Sequence, residues 1–547
     1  MEYFSIHEQF LFVSFDIDVK EREKLDQYLS ILKESGVEKF FKSSEVHGID
    51  PGGRPGFKQD DLFATILYGF AFGKGTLREL ESSCRYDLRY IYLMEQQRPT
   101  YVVFCNFINS VILPNINEIF AMITATLIAK IGIDTEEVFI DGTKLEADAN
   151  KYKFVWKPTT FHNKLGDKIR ELLSKYDLER NLSSNGIIDA KIVAKKYNDL
   201  CALKTTSDRQ LLDHDIKLME SYLLRSLEYE EKEEICGPGR NSYYKTDYGA
   251  TAMCLKEDYY SGLGSNMHAA YNIQLAVSKG IIKTVYVSQS RNDISDLIPT
   301  LDKYKNDYHV YPKIVCADSG YGSYENYKFI TDNCIGNYIK HQSWEGNKSG
   351  KRPDRFTVNE DHTITCLNGH IGTIVELKNR HPRHAQSVFF LIKGCKKCVF
   401  RKYCKKNLNN KSGNDRIFEV NIEFNLLKQA AEKNLLSKKG IELRVNRSSQ
   451  VEGAFGVLKQ DMFYVRARRI TLERVQMEIE LQSLGYNIRK LFRFFDGEAR
   501  FTYWEAPDNL QNEQFKKPSS NKLSKSSKKK KSVNEIAKSI GLKKAVR

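Results

Sequence analysis

The chain has 547 residues, enough at roughly 150 residues per domain for about three or four structural units. With 41% hydrophobic and 28% charged residues, and 30 each of Tyr and Phe, the composition supports packed cores. It excludes a collagen, a coiled coil, a small disulfide scaffold and a mostly disordered chain.

The formal charge of +15 is unevenly placed, because residues 516–547 carry +11 of it in a Lys-rich, low-complexity run. That run reads as a disordered tail, which either keeps the chain in solution or makes loose, salt-sensitive contacts with a polyanion. Eleven cysteines, an odd number without a regular framework, fit a reducing cytoplasm. The first twenty residues lack the basic segment and cleavage site of a signal peptide. Apolar stretches around 62–72 and 119–131 fall short of the ~20 residues that a membrane span needs. The expectation is a soluble, cytoplasmic protein with no membrane partner.

In chain order, residues 1–44 form a lead and 58–130 read as helical. Thr76-Leu-Arg-Glu79 has the pattern of a capping box after the break at Gly73–Gly75. Val138-Phe-Ile-Asp-Gly-Thr143 reads as a short buried strand ending at a carboxylate, and the charged stretch 161–235 as a helical excursion. Tyr271–Val277 and Ile281–Val287 flank Ser278-Lys-Gly280, a turn of hairpin length. A helix over Asp293–Tyr304, with Asp293 as its N-cap, leads to a second buried strand, Lys313–Asp318, again ending in a carboxylate. Tyr324–Thr331 reads as helix and Gly336–Lys340 as strand. Residues 345–425 are polar, broken and Cys-bearing, and Ser448–Gln460 and Leu472–Phe495 return to helix. Without the excursions this is the element order of a ribonuclease-H-like α/β fold, in which strand ends face the ligand crevice.

Three acids stand out by placement: Asp141 and Asp318 at strand ends and Glu452 at the start of a helix. Any one of them alone reads as a helix cap or a residue of a solvated turn. A carboxylate at the end of an apolar strand is costly to desolvate unless it is paired or binds a metal, and hard divalent cations prefer such oxygen donors. Together the three look like the catalytic acids of a DDE transposase. Phe139-Ile-Asp-Gly-Thr-Lys-Leu-Glu-Ala147, Ala270-Tyr-Asn-Ile-Gln274, Ala317-Asp-Ser-Gly-Tyr-Gly322 and Val451-Glu-Gly-Ala-Phe-Gly-Val-Leu-Lys459 resemble signature stretches of bacterial insertion-sequence transposases. The nearest resemblance is to the group numbered 1182, allied to the group numbered four.

That resemblance implies a helical N-terminal transposase domain over 45–132 that binds the element's ends. It implies a ribonuclease-H-like catalytic domain over 133–344 and 426–500, with the excursion 161–235 and a Cys-containing insertion at 345–425, followed by a disordered tail at 501–547. Asp141, Asp318 and Glu452 would be the catalytic and metal-binding acids, holding two Mg2+ (or Mn2+) ions. Glu452 and Lys459 meet the related group's Glu-x6-Lys spacing, about two helical turns, so both side chains would share a face. In one respect the chain departs from that pattern: the Tyr and Arg expected seven and four residues before the Glu are Val445 and Ser448.

Six basic residues (Arg444, Arg447, Lys459, Arg466, Arg468 and Arg469) bracket Glu452 and read as phosphate contacts that position DNA without reading its sequence. Glu146 and Asp148 read as surface residues, and His268 and His341 as structural. Trp156 and Trp344 read as packed in a core or interface, with stacking on an unpaired base as the alternative. Cys366, Cys395, Cys398 and Cys404 are candidate ligands of a structural Zn2+, with His370 as a substitute. The other reading is a satellite core of reduced thiols. The whole implies a transposase that cuts and joins double-stranded DNA at terminal inverted repeats and at target DNA, as a homo-oligomer associated with the nucleoid. A metal-dependent nuclease that does not join ends, and a catalytically idle DNA-binding relic, are the alternatives.

Overall fold

The computed structural model describes residues 18–41, 56–74, 76–180, 182–203, 209–255, 267–376, 387–404, 415–498, 501 and 503–516. The Lys-rich run beyond residue 516 and the first 17 residues of the lead lie outside the described residues. The chain is a mixed α/β protein that divides into two compact units, Met1–Pro312 with Ser448–Thr502, and Lys313–Arg447 with Tyr503–Arg547.

The first unit begins with helices α1 (Val19–Glu34), α2 (Gln59–Ala71), α3 (Leu77–Tyr86), α4 (Leu88–Leu93), α5 (Tyr101–Phe107) and α6 (Leu113–Ile131). At the start of α3 the capping box is complete: Glu79 N donates to Thr76 Oγ1 and Thr76 N donates to the Glu79 carboxylate. Five π-helical residues, Ile108–Ile112, join α5 to α6 without a break. Tyr101–Ile131 is therefore one 31-residue helical run, long and apolar enough by length and composition to cross a membrane. This corrects the expectation from sequence. Asn106, Asn109, Asn115 and Asn117 interrupt the apolar string but not the helix, and Ile116, Ile119, Phe120, Ile123 and Leu127 are buried in the unit.

The unit continues through β1 (Glu137–Glu146), β2 (Phe154–Trp156), α7 (Thr159–Ser174), α8 (Ala190–Ala202), α9 (Arg209–Cys236), β3 (Ser242–Tyr244), β4 (Thr251–Cys254), β5 (Met267–Ser278), β6 (Ile281–Ser288) and α10 (Leu297–Tyr308). The charged stretch 161–235 thus folds as three helices, and they close on an apolar core of their own that includes Leu165, Ile169, Leu172, Val193, Leu200 and Met219. Strand β5 is the centre of the sheet and pairs antiparallel with β1, β4 and β6. The β5–β6 hairpin turns through Lys279 and Gly280, both with positive φ (47° and 74°), the backbone that a two-residue type I′ turn requires.

A 24-residue helix, Leu472–Phe495, completes this unit, and it is buried along most of its length. Two of its amides cover backbone groups of β6. Asn487 exchanges a pair of 2.9 Å bonds with Ile282, while Gln476 accepts from Val287 N and donates to Val285 O. Such pairing removes the hazard of an open strand edge. On its other side the helix meets α2 and α6. Gly485 is needed there, because a Cβ would lie 2.7 Å from Phe70 C and 2.8 Å from Ala71 N. Phe492 joins Tyr28, Tyr68 and Phe72 in an aromatic cluster.

In the second unit β7 (Ile314–Ala317), α11 (Tyr324–Asp332) and β8 (Gly336–Ile339) form a parallel β-α-β crossover. Next come α12 (Trp344–Ser349), the hairpin β9 (Phe356–Val358) and β10 (Ile364–Cys366), and then β11 (Thr373–Ile374), β12 (Val388–Ile392), α13 (Arg401–Cys404) and β13 (Arg416–Val420). Strands β11, β12 and β13 make a three-stranded antiparallel sheet. Val358, Ile364, Phe390, Ile392, Phe418 and Val420 form its core. Helices α14 (Ile422–Leu436) and α15 (Lys438–Arg447) follow. Trp344 is buried, packed on Phe515 and under the Arg444 guanidinium.

Candidate active site

Asp141 lies in β1 directly after Val138-Phe139-Ile140, which are buried. Its own side chain is partly exposed, and Oδ1 accepts from Gly142 N at 2.9 Å. Alternation along a strand puts Asp141, Thr143 and Leu145 on one face and Gly142 on the other. The first face is covered by the helical segment Ser448–Asp461. Lys459 Nζ donates to Thr143 Oγ1 at 2.6 Å, and Leu145, Ile273, Phe455 and Leu458 line a small cavity beneath the helix. At the other end of this segment, Gln450 accepts from Gly280 N in the β5–β6 turn. The helix that carries Glu452 is thus held against the face that carries Asp141.

Glu452 is exposed and accepts from Ser448 Oγ at 2.9 Å. Ser448, four residues before Glu452 on the same helical segment, supplies this hydrogen bond to the acid through its hydroxyl. The helix is not a regular α-helix, because Ser448–Glu452 and Val457–Asp461 are π-helical turns on either side of a short α segment. Wider turns carry the Glu452–Lys459 spacing short of two full turns, so the two side chains share a face less closely than straight helical geometry predicts.

Asp318 belongs to the second unit, at the end of the buried strand β7, and its Oδ1 accepts from Gly320 N at 2.7 Å. The turn after it is closely built. A Cβ on Gly322 would meet Lys340 O at 2.8 Å, Tyr321 is buried, and Tyr327 Oη donates to Ile339 O.

The opposite face of β1 and β5 carries a second group of acids. Gly142 pairs with Gln274, and a Cβ at Gly142 would lie 2.5 Å from Gln274 Nε2 and 2.6 Å from Asp293 Oδ1. Asn272 and Gln274 both donate to Asp293 Oδ1, at 2.8 and 3.0 Å. Asp293 is therefore not the N-cap of the following helix, as expected from sequence. The α10 cap position is Asp296, and the Asp293 carboxylate turns back to the sheet. Asp296 is buried and bonded by Asn272 and Ser288. Burial pushes its carboxyl up to about 6, against the lowering effect of the Ser288 and Ser290 hydroxyls, and the neighbouring Asp293 charge adds to the rise.

Other residues expected from sequence fall in varied places. Arg444 donates to Glu513 at 2.8 Å and to Leu435 O, and Arg466 pairs with Asp148 at 3.0 Å. Arg447, Lys459 and Arg469 are partly exposed and Arg468 is exposed. Glu146 is buried beside His268, not a surface residue, because β1 runs on to pair Glu146 with Ala270 deep in the sheet. Trp156 is 55% exposed, edge-on to Phe154, so it is not a core residue. It lies on a strand too short to be covered, in a Lys-aromatic run from Lys151 to Lys157.

His341, Asp354 and Glu432 are a group whose ligand atoms all lie within 4.8 Å of one another. The Lys428 ammonium contacts Asp354, and His341 Nε2 lies 2.6 Å from Glu432. A cation of the protein already sits among these carboxylates, so the cluster is an ion-pair network.

Residues 365–492 match the family profile of a transposase DDE domain. This stretch contains Glu452 and Lys459 and covers less than half of the chain. No curated protein and no solved structure matches the chain.

Proposed function

We propose that the chain is a DDE-type transposase that cuts and rejoins DNA at the ends of an insertion sequence. The observation that carries this reading is the likeness of residues 365–492 to a transposase DDE domain, with Glu452 inside the matching stretch. The motifs around Asp141, Asp318 and Glu452 support the closer kinship with the group numbered 1182 and a ribonuclease-H-like catalytic core.

The donor set fits hard divalent ions: three carboxylates, of which Glu452 is exposed and Asp141 and Asp318 are partly exposed, so none is sealed from an entering ion. Asp141, Asp318 and Glu452 would hold two Mg2+ or Mn2+ ions. When bound, such ions activate the attacking oxygen and stabilise the leaving one in phosphodiester displacement. In the first reaction water adds across a P–O3′ bond of the donor strand, leaving a 5′-phosphate and a free 3′-hydroxyl. In the second that hydroxyl attacks a target phosphodiester, forming one P–O bond and releasing one target 3′-oxygen.

The chain's own part is to place the acids and the DNA. Thr143 holds Lys459 at the acid-bearing face, where the ammonium can take a phosphate. Ser448 orients Glu452. Arg447, Arg468 and Arg469 supply further positive charge along the backbone of double-stranded DNA. The exposed Trp156 offers a face on which an unpaired base stacks. In this reading the protein is soluble, nucleoid-associated and a homo-oligomer when it bridges two ends.

The test is Mg2+-dependent cleavage and strand transfer on DNA carrying the gene's own flanks, with wild type beside Asp318→Asn. Nicking followed by 3′-end joining, both lost in the variant, is the expected result. Cleavage without joining would make the protein a nuclease, and binding without cleavage would make it a DNA-binding relic.

A further inference from the structure

Besides Asp318 and the ion-pair network at His341, Asp354 and Glu432, the described residues of the second unit bring four cysteines close together. Cys366 ends β10, Cys395 and Cys398 flank a single 3₁₀ turn, and Cys404 ends α13. These three separate segments bring all four cysteines to the wall of one cavity. None is in a disulfide, and all four are partly buried.

The backbone around the cysteines consists of tight, glycine-dependent turns. Gly394, with φ of 80°, leads into Cys395, and Cys398 N donates to Cys395 O. Cys366 N donates to His370 O and Gly369 N donates to Cys366 O, with Gly369 at φ of 82°. Each turn presents its cysteine from a short loop, the arrangement from which thiolate metal sites are built.

A second, independent observation concerns charge. Arg416 shares the same cavity wall, and its Nε and Nη1 are buried with no hydrogen-bond partner among the described residues. The residue as a whole is partly buried and its guanidinium lies over the Phe418 ring, yet two buried N–H donors without an acceptor are costly. Four thiolates around a divalent ion carry a net charge of −2 and offer sulfur acceptors to the outer donors, which is the partner that Arg416 lacks. Among the described residues the apolar core of this module has six buried side chains with a rim of partly buried ones, and so small a core calls for a staple.

We propose that Cys366, Cys395, Cys398 and Cys404 form a structural zinc site that holds the β9–β13 module together, with Arg416 as its neutralising cation. Soft thiolate donors in a tetrahedral set select zinc over the hard ions of the acid site. His370 is not a ligand: its Nε2 lies 3.1 Å from Asn368 Nδ2, and it does not line the cavity among the described residues. No three of the four sulfurs lie within 4.8 Å of one another. Closure at about 2.3 Å per Zn–S bond therefore needs the side chains to rotate inward. The proposal is independent of the transposase reading, because it concerns a site that takes no part in the chemistry.

The experiment is metal analysis of the full-length protein purified without chelator, followed by exchange with Co2+. One zinc per chain and an intense sulfur-to-cobalt charge-transfer band are expected in wild type and in Cys334→Ser, whose cysteine is exposed and outside the cluster. Cys398→Ser should lose both signals. Because that variant can misfold, wild type is also titrated with a mercurial reagent, which should release one zinc as four thiols react. A metal-free wild type that takes up no Co2+, or full zinc occupancy in Cys398→Ser, would overturn the site.

Discussion

The two faces of the β1–β5 sheet carry similar residues put to different ends. On one side, Asn272 and Gln274 hold the carboxylates of Asp293 and Asp296 against the sheet, and Asp296 is 2% exposed. On the other side, Asp141 is partly exposed and Glu452 exposed, on a strand and a helix joined through Thr143 and Lys459. An acid locked among amides and hydroxyls serves the fold. An acid that water can reach, on an element fixed by its neighbours, can bind a cation. Burial alone does not divide the two groups, since Asp293 and Asp141 are both partly exposed; the difference is that two amides of the sheet hold Asp293.

Four changes sharpen or break this contrast, the largest first. Glu452→Gln should reduce Mg2+-dependent cleavage on the order of 10³-fold, since several kcal/mol of transition-state stabilisation are removed at about 1.36 kcal/mol per tenfold. The melting temperature should not move, and a drop of many degrees would place Glu452 with the structural acids. The second change is Asp296→Asn, read by urea unfolding from pH 4 to pH 7. Asp296 titrates at about 6 in the fold against 3.8 for the free side chain, so the folded state binds the extra proton between those values. Wild type should therefore lose stability as pH rises through that window, by up to about 3 kcal/mol, and the variant should lack that loss.

Gly142→Ala lies between the faces. Its Cβ would press on Gln274 and Asp293, and the expected destabilisation is about 1–3 kcal/mol by thermal unfolding. If cleavage at low temperature falls by more than the folded fraction, the two faces are coupled through β1. The smallest effect is expected for Ser448→Ala, which removes one hydrogen bond worth about 0.5–1.5 kcal/mol. Cleavage should fall several-fold and half-maximal activity should need more Mg2+, with stability unchanged.

Features set by neighbours in sequence were legible, and those set by distant partners were not. The capping box at Thr76 and Glu79, the turn at Lys279-Gly280 and the bounds Leu472–Phe495 all follow from local pattern, and each is present. Asp293 reads as a cap because an acid before a helix normally caps it, and nothing local reveals the two amides on β5 that claim it. Glu146 reads as a surface residue because the strand runs further than its apolar residues do. The π-helical turns around Glu452 left no mark in the sequence, since seven-residue spacing looks the same whatever the width of the turns. Asn272 and Gln274, on alternate positions between apolar neighbours in β5, were the available sign of the buried network.

The helix Leu472–Phe495 also bears on how the chain is made. Helices α2 and α6 emerge from the ribosome hundreds of residues before the helix that covers them. At about 5–20 residues per second, that interval is on the order of tens of seconds. Throughout it the face of α2 around Phe70 and Ala71, where Gly485 later docks, lacks that helix as cover, so the nascent chain is expected to need shielding of apolar surface. A product cut short before Leu472 would keep that face exposed permanently, so truncated copies should be removed by aggregation or proteolysis.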